Sequence, residues 1–169
     1  MKLLRHLIAS LAFRIIAIAL PLCGMGGHAH AQINADRMMN IARNALAYDD
    51  YVLSISYFNL VINYKPHLYE PYFYRGVAKF YLDDYSGTIL DCTEAIRRNP
   101  YFPNTYELRG LAYINMDRFF EAIADYRTAT EMSPDLRSLW HNLALCYIEI
   151  DSLDQADSIT TTIIKKWSK

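Results

Sequence analysis

The sequence predicts an all-α solenoid of four stacked helix-turn-helix units. Three observations carry that prediction. Prolines at 66, 100 and 134 stand 34 residues apart, and aspartates at 49, 83, 117 and 151 recur at the same interval. Within each row large and small residues alternate four apart, as Tyr72 with Gly76 and Trp140 with Ala144 do, which is helical spacing. A residue that recurs in every row serves the row, so the repetition has to be recognised before any motif is interpreted.

The first element is a leader. Lys2 and Arg5 make a basic start, Leu7 to Leu22 is apolar apart from Ser10 and Arg14, and Ala29-His30-Ala31 places small residues where a signal peptidase reads. Residues 1–31 are therefore expected to be a signal peptide cleaved between Ala31 and Gln32, leaving the chain periplasmic or secreted in a bacterial-type cell envelope. An uncleaved membrane anchor is disfavoured, because Arg14 interrupts a run shorter than the roughly 20 residues that span hydrocarbon. A lipid on Cys23 is disfavoured by the bulky Leu22 before it. The leader carries three basic residues and no acids, so the rest holds 14 Lys+Arg against 18 Asp+Glu, a charge of −4. That balance argues against nucleic acid or an anionic membrane as partner.

Residues 32–169 read as one domain with rows at about 35–68, 69–102, 103–136 and 137–169. Each row is predicted to be two helices of roughly fourteen residues, joined at the aspartate and broken at the proline. The first row carries Met38, Ala42, Asp49, Tyr51 and Ser54; the second Tyr72, Gly76, Asp83, Tyr85, Thr88 and Ala95. The third carries Tyr106, Gly110, Asp117, Phe119, Ala122, Tyr126 and Ala129; the fourth Trp140, Ala144, Asp151, Leu153 and Ala156. Small residues let neighbouring backbones approach while large ones fill the gap beside them. One helix pair cannot bury both apolar faces, so four must stack. In the last helix Leu153, Ala156, Thr160, Ile163 and Trp167 are expected to face inward. Asp154, Asp157, Ser158, Thr161, Thr162 and Lys165 would then face outward, a polar surface suited to a stack that ends there.

Asp83, Asp84, Asp91, Cys92 and Glu94 could be assembled on paper into a metal or acid/base site. The 34-residue column points elsewhere. Aspartate tolerates the left-handed conformation of a tight turn and can cap the helix that follows. Cys92 shares a column with Phe58 and Tyr126 and reads as a small core residue, with Cys146 three helix steps away, too far for a disulfide. No Cys–Cys or His–His pair stands at zinc spacing. Beyond the leader the only histidines are His67 and His141, and there is no nucleophile elbow, phosphate loop or His-Glu-x-x-His. No catalytic role, metal or cofactor is expected.

These columns resemble the tetratricopeptide repeat. Its signature Trp-x-x-Leu-Gly-x-x-Tyr followed by Ala corresponds to Trp140, Leu143, Ala144, Tyr147 and Ala156, and the third row matches through Tyr106, Gly110, Tyr113, Ala122, Tyr126 and Pro134. The second row departs at Lys79 and Thr88, and the first, with Met38 and Ser54, is the most divergent. The resemblance implies a right-handed superhelix with the first helix of each pair lining a concave groove. Carried over, the groove residues are Met39, Arg43 and Leu46; Phe73, Val77 and Phe80; Glu107, Leu111 and Ile114; and His141, Leu145 and Ile148. A family subset grips a partner's terminal carboxylate with basic residues and asparagines on this face. Met39, Tyr74 and Leu108 largely take those places here, which argues for an extended or helical peptide held by apolar contacts. The expected function is an exported, non-catalytic adaptor or scaffold binding a protein or peptide, with self-association left open. The alternatives are a module for a small molecule or glycan, prompted by fourteen tyrosines, and an N-terminal fragment of a larger envelope protein.

Overall fold

The computed structural model describes residues 34–168, so the leader and its Ala31–Gln32 junction lie outside the described residues. Among the described residues there are eight helices and no strand. They are α1 (34–47), α2 (Tyr51–Tyr64), α3 (Glu70–Tyr81), α4 (Tyr85–Arg98), α5 (Pro103–Ile114), α6 (Phe119–Met132), α7 (Arg137–Glu149) and α8 (Leu153–Trp167). From α2 onward each helix packs on the next, and α3 also touches α5, the pattern of a solenoid whose alternate helices form one face.

The turn inside each pair is the same four times. Asp49, Asp83, Asp117 and Asp151 adopt φ of 60°, 57°, 57° and 55°, the left-handed region, and are the only non-glycine residues described with positive φ. The N–H of the residue after each donates back to the carbonyl five residues earlier: Asp50 to Ala45, Asp84 to Lys79, Arg118 to Tyr113 and Ser152 to Tyr147, all at 2.8–2.9 Å. This is a Schellman helix end with aspartate in the place glycine usually takes. Capping of the following helix falls to the neighbouring residue rather than to this column. Asp50 accepts from the Leu53 N–H and Asp84 from the Gly87 N–H, while Arg118 and Ser152 provide no side-chain cap.

The turn between pairs is pinned by the large residue near the start of each first helix. The Tyr72 and Tyr106 hydroxyls donate to the carbonyls of Pro66 and Pro100, and Trp140 Nε1 donates to that of Pro134 at 2.9 Å. Arg98 Nε and Lys166 Nζ reach the Pro66 and Pro134 carbonyls from the ends of α4 and α8. The core runs along the stack through Phe58, Cys92, Tyr126, Ala42, Ala95, Ala122, Ala129 and Leu139, all fully buried.

The two glycines of the small column are not equivalent. A Cβ on Gly76 would meet Asp91, Cys92 and Leu108 at 3.5–3.6 Å, ordinary contact. On Gly110 it would lie 2.9 Å from Tyr126 Cε2 and 3.0 Å from Cζ, so only there is the missing side chain required. The last helix also corrects the expectation for its faces. Leu153 is 61% exposed and Thr160 is exposed, while Ile159 packs on the core; of the five residues expected inside only Ala156 is fully buried. Thr160 occupies the column that buries Cys92 and Tyr126, and among the described residues α8 has no helix after it, while Leu153 shares a column with Tyr85 and Phe119, which are only half-buried.

The first described helix carries polar residues where a later first helix is buried. Arg37, Asn40 and Asn44 of α1 are exposed, in the columns that in α5 hold the buried Thr105, Leu108 and Ala112 against the preceding helix.

Candidate functional site

Two faces hold chemistry, and they are built from opposite sides of the same helices. On the core side of the two central rows lies an ion-pair ladder that sequence reasoning missed. Arg75 on α3 donates through Nε and Nη2 to both Asp91 oxygens on α4, Lys79 joins the same carboxylate at 2.9 Å, and Arg75 Nη1 reaches Asn59 on α2. One repeat on, Arg109 on α5 makes the same two bonds to Asp125 on α6, at 2.8 and 2.7 Å, and Nη1 reaches Thr93 on α4. Both carboxylates are buried. Burial pushes the Asp125 carboxyl up, and the Arg109 guanidinium opposes it. Each arginine also lies over the aromatic ring one turn before it, Tyr72 or Tyr106. Each guanidinium thereby links three consecutive helices in a fixed planar fork. In the fourth row the pair is replaced by Leu143 and Ile159, and there a shallow cavity opens, lined by Arg127, Trp140, Tyr147 and Asp154 among others. The available signal was the 16-residue Arg–Asp spacing in two consecutive rows.

Asp91 and Asp125 are therefore committed to arginines. Among the described residues no group of three His, Cys, Asp or Glu is placed to hold a metal ion. Asp83 and Asp84 are a turn and a cap, and Glu94 pairs with Arg97 and Arg98. Cys92 and Cys146 are buried free thiols. Burial pushes the Cys146 thiol up to about 11 and Cys92 higher still, so neither is a ready nucleophile.

The twelve groove residues form a graded stripe along α1, α3, α5 and α7. Met39 and Leu46 are half-buried with Arg43 exposed; Phe73, Val77, Phe80, Glu107, Leu111 and Ile114 are half-buried; His141, Leu145 and Ile148 are exposed. Phe73 stands edge-on to Phe102, with ring centres 5.1 Å apart, and Tyr69 tilts against the same Phe102. Phe80 packs edge-on against Tyr85. Tyr69 and Phe102, which come from the turns between pairs, were not anticipated. Of the residues placed on this face by family correspondence, Leu108 is instead inside, while Tyr74 is half-buried beside Phe73. Leu108 is buried beside Gly76, and Tyr74 stacks on Phe58, with Arg43 over its ring at 5.1 Å. Both sit one position past the groove stripe, where the helix has turned by about 100° toward its neighbour.

Near the third and fourth rows the groove turns acidic. Burial pushes the Glu107 carboxyl up, partly offset by a hydrogen bond from Ser138 Oγ at 3.4 Å. A cavity of about 330 Å³ opens between α5 and α7, lined by Ile114, Asp117, Phe119, Leu145, Cys146 and Glu149.

The sequence profile of the tetratricopeptide repeat matches residues 103–136, the third row. A comparison with curated protein sequences found no match. Among solved structures the chain is similar to MamA, at 20% identity over 79% of this chain and 78% of that one, with a TM-score of 0.76. It is also similar to the first tetratricopeptide domain of Spaghetti (RPAP3) bound to the HSP90 peptide SRMEEVD, at 20% identity, 69% and 93% coverage and a TM-score of 0.68. A third likeness is to the Arabidopsis OM64 tetratricopeptide domain, at 20% identity, 69% and 96% coverage and a TM-score of 0.67.

Proposed function

We propose that the chain, whose third row matches the tetratricopeptide repeat and whose fold is similar to that of solved tetratricopeptide domains, is a non-catalytic interaction module that binds a peptide segment of another protein along its concave face. The observation that carries this reading is the stripe of Phe73, Val77 and Phe80. These side chains lie off the core columns yet stay half-exposed in a row, with Phe73 and Phe80 held by edge-on aromatic neighbours rather than covered by a helix. Rigid, half-exposed aromatics are the residue class in which binding energy concentrates. The peptide-bound Spaghetti (RPAP3) structure lends support by fold alone. Export through cleavage of residues 1–31 belongs to the same proposal, resting on the leader pattern, and N-terminal sequencing from an envelope fraction checks it.

A photo-cross-linking residue at Val77, compared with one at the exposed Leu90 of α4, tests the binding face in the native host. Adducts at Val77 that disappear in Phe73→Glu/Phe80→Glu, at unchanged helicity, are the expected result. Adducts at Leu90 alone, or a double variant that unfolds, would overturn the concave assignment.

A further inference from the structure

Among the described residues, three carboxylates on the concave face have no cation paired with them, all in the third and fourth rows. Glu107 is half-buried, its one hydrogen bond is the long one from Ser138, and no Lys, Arg or His among the described residues lies within ion-pair distance of it. Asp117 occupies the turn column, but Asp49 and Asp83 accept hydrogen bonds from the Tyr51 and Tyr85 hydroxyls at 2.8 and 2.7 Å, and Phe119 has no hydroxyl to offer. Asp117 and Glu149 face the 330 Å³ cavity between α5 and α7. A carboxylate drawn out of water is costly unless paired. This fold meets that cost twice with an internal arginine, at Asp91 and Asp125, and leaves it unmet at the half-buried Glu107, whereas Asp117 and Glu149 are exposed.

A second observation is independent of charge. The Tyr126 hydroxyl is fully buried and lacks a well-formed hydrogen bond, with the Asn142 side chain the group placed to offer one. Its ring passes against Gly110 of α5, and the hydroxyl lies in the field of Glu107 and Cys146, beside Asn142, in the seam between α5 and α7. At the opposite end of the groove the sign reverses, with the exposed Arg43 over Tyr74.

We propose that the groove takes an extended peptide of defined charge order: a Lys or Arg over Glu107 and the Asp117–Glu149 cavity, large apolar residues on Phe73, Val77 and Phe80, and an acidic residue at Arg43. The assignment rests on the peptide-binding reading above. Arg43 and Glu107 are on first helices two rows apart. Helix spacings of roughly 8–10 Å per row put them about 16–20 Å apart. Five or six extended residues at about 3.3 Å each span that distance.

The test is selection of a phage-displayed random dodecapeptide library on the purified chain, on Glu107→Gln/Asp117→Asn/Glu149→Gln, and on Phe73→Glu/Val77→Glu. Asparagine tolerates the left-handed turn, so the triple variant keeps its fold. The wild-type pool should pair apolar residues with a Lys or Arg five or six positions from an Asp or Glu, and the triple-variant pool should keep the apolar residues and lose the basic one. By fluorescence anisotropy a wild-type-selected peptide should bind the triple variant on the order of tenfold more weakly at low salt, with the gap closing at high salt. A wild-type pool without basic bias, or equal affinity for the triple variant, overturns the charge assignment and leaves the groove standing. A Phe73→Glu/Val77→Glu pool matching wild type, or no enrichment on wild type, removes the groove reading as well.

Discussion

Gly110→Ala sets helix propensity against packing, and the structure says which wins. A mid-helix alanine in place of glycine stabilises by roughly 0.5–1 kcal/mol. Against that, the new Cβ would stand 2.9, 3.0 and 3.3 Å from three atoms of the Tyr126 ring, where carbon contacts settle at about 3.5–4.0 Å. The ring edge must retreat by about 0.5–1 Å. It has nowhere free to go, since Tyr126 is fully buried in a cluster with Tyr106, Ala122, Ala129, Leu139 and Cys146. Overpacking of this kind costs about 1–3 kcal/mol, so the net loss is about 0–2.5 kcal/mol. Gly76→Ala is the internal control, because it adds the same methyl in the same column at ordinary contact distances and should gain about 0.5–1 kcal/mol. The difference between the two variants, about 1–3 kcal/mol, isolates the packing term because the propensity term is common to both. With an unfolding entropy of about 2.1 cal/mol/K per residue, it splits their Tm values by roughly 4–10 °C. Circular-dichroism melts and urea midpoints at matched m-values read it out. Equal shifts for both variants, or a Gly110→Ala chain as stabilised as Gly76→Ala, would refute the argument from Tyr126.

Three further outcomes are expected. Asp125→Ala strands Arg109 and should cost about 3–5 kcal/mol, whereas Arg109→Leu/Asp125→Ile, which copies the Leu143–Ile159 pair of the fourth row, should lie much closer to wild type in urea denaturation. Glu107 has its carboxyl pKa raised in the folded state, so the folded chain binds more protons than the unfolded one from the usual carboxylate range upward, and stability falls as pH rises through that window. Glu107→Gln should therefore melt higher than wild type at neutral pH, with the gap closing toward about pH 4; a gap that is flat with pH contradicts the desolvation account. Cys92 and Cys146 should resist a thiol reagent in the native chain at pH 8 and react once denaturant opens it, and rapid native labelling of Cys92 would contradict its burial.

Much of the fold was legible because a repeat writes the same local problem four times. The aspartate column is the plainest case: a left-handed helix end needs a residue that accepts positive φ, and that requirement is local enough to appear as a bare letter every 34 positions. The division of labour inside the Asp-Asp doublets was less legible, since the capping carboxylate is chosen by a rotation of one residue. Leu108 was misplaced for a related reason: a one-residue step on a helix is about 100°, and a face inferred by correspondence carries no check on that angle. Thr160 followed the column pattern faithfully, but the column that buries Cys92 and Tyr126 does so only where another helix follows.

The 34-residue period, the paired helices, the break at each proline and the small-residue column are properties of near neighbours in the chain, and the sequence alone determined them. Tertiary structure decided what the columns do not share. It gave Gly110 a Tyr126 ring to accommodate and left Gly76 with room for a methyl, bound Arg75 and Arg109 to aspartates sixteen residues away, and gave Glu107 no cation among the described residues. A backbone preference is decided within a turn of its own residue. A side chain's counter-ion or clash is decided by which helix happens to lie against it, and that distance is not written in the spacing of the letters.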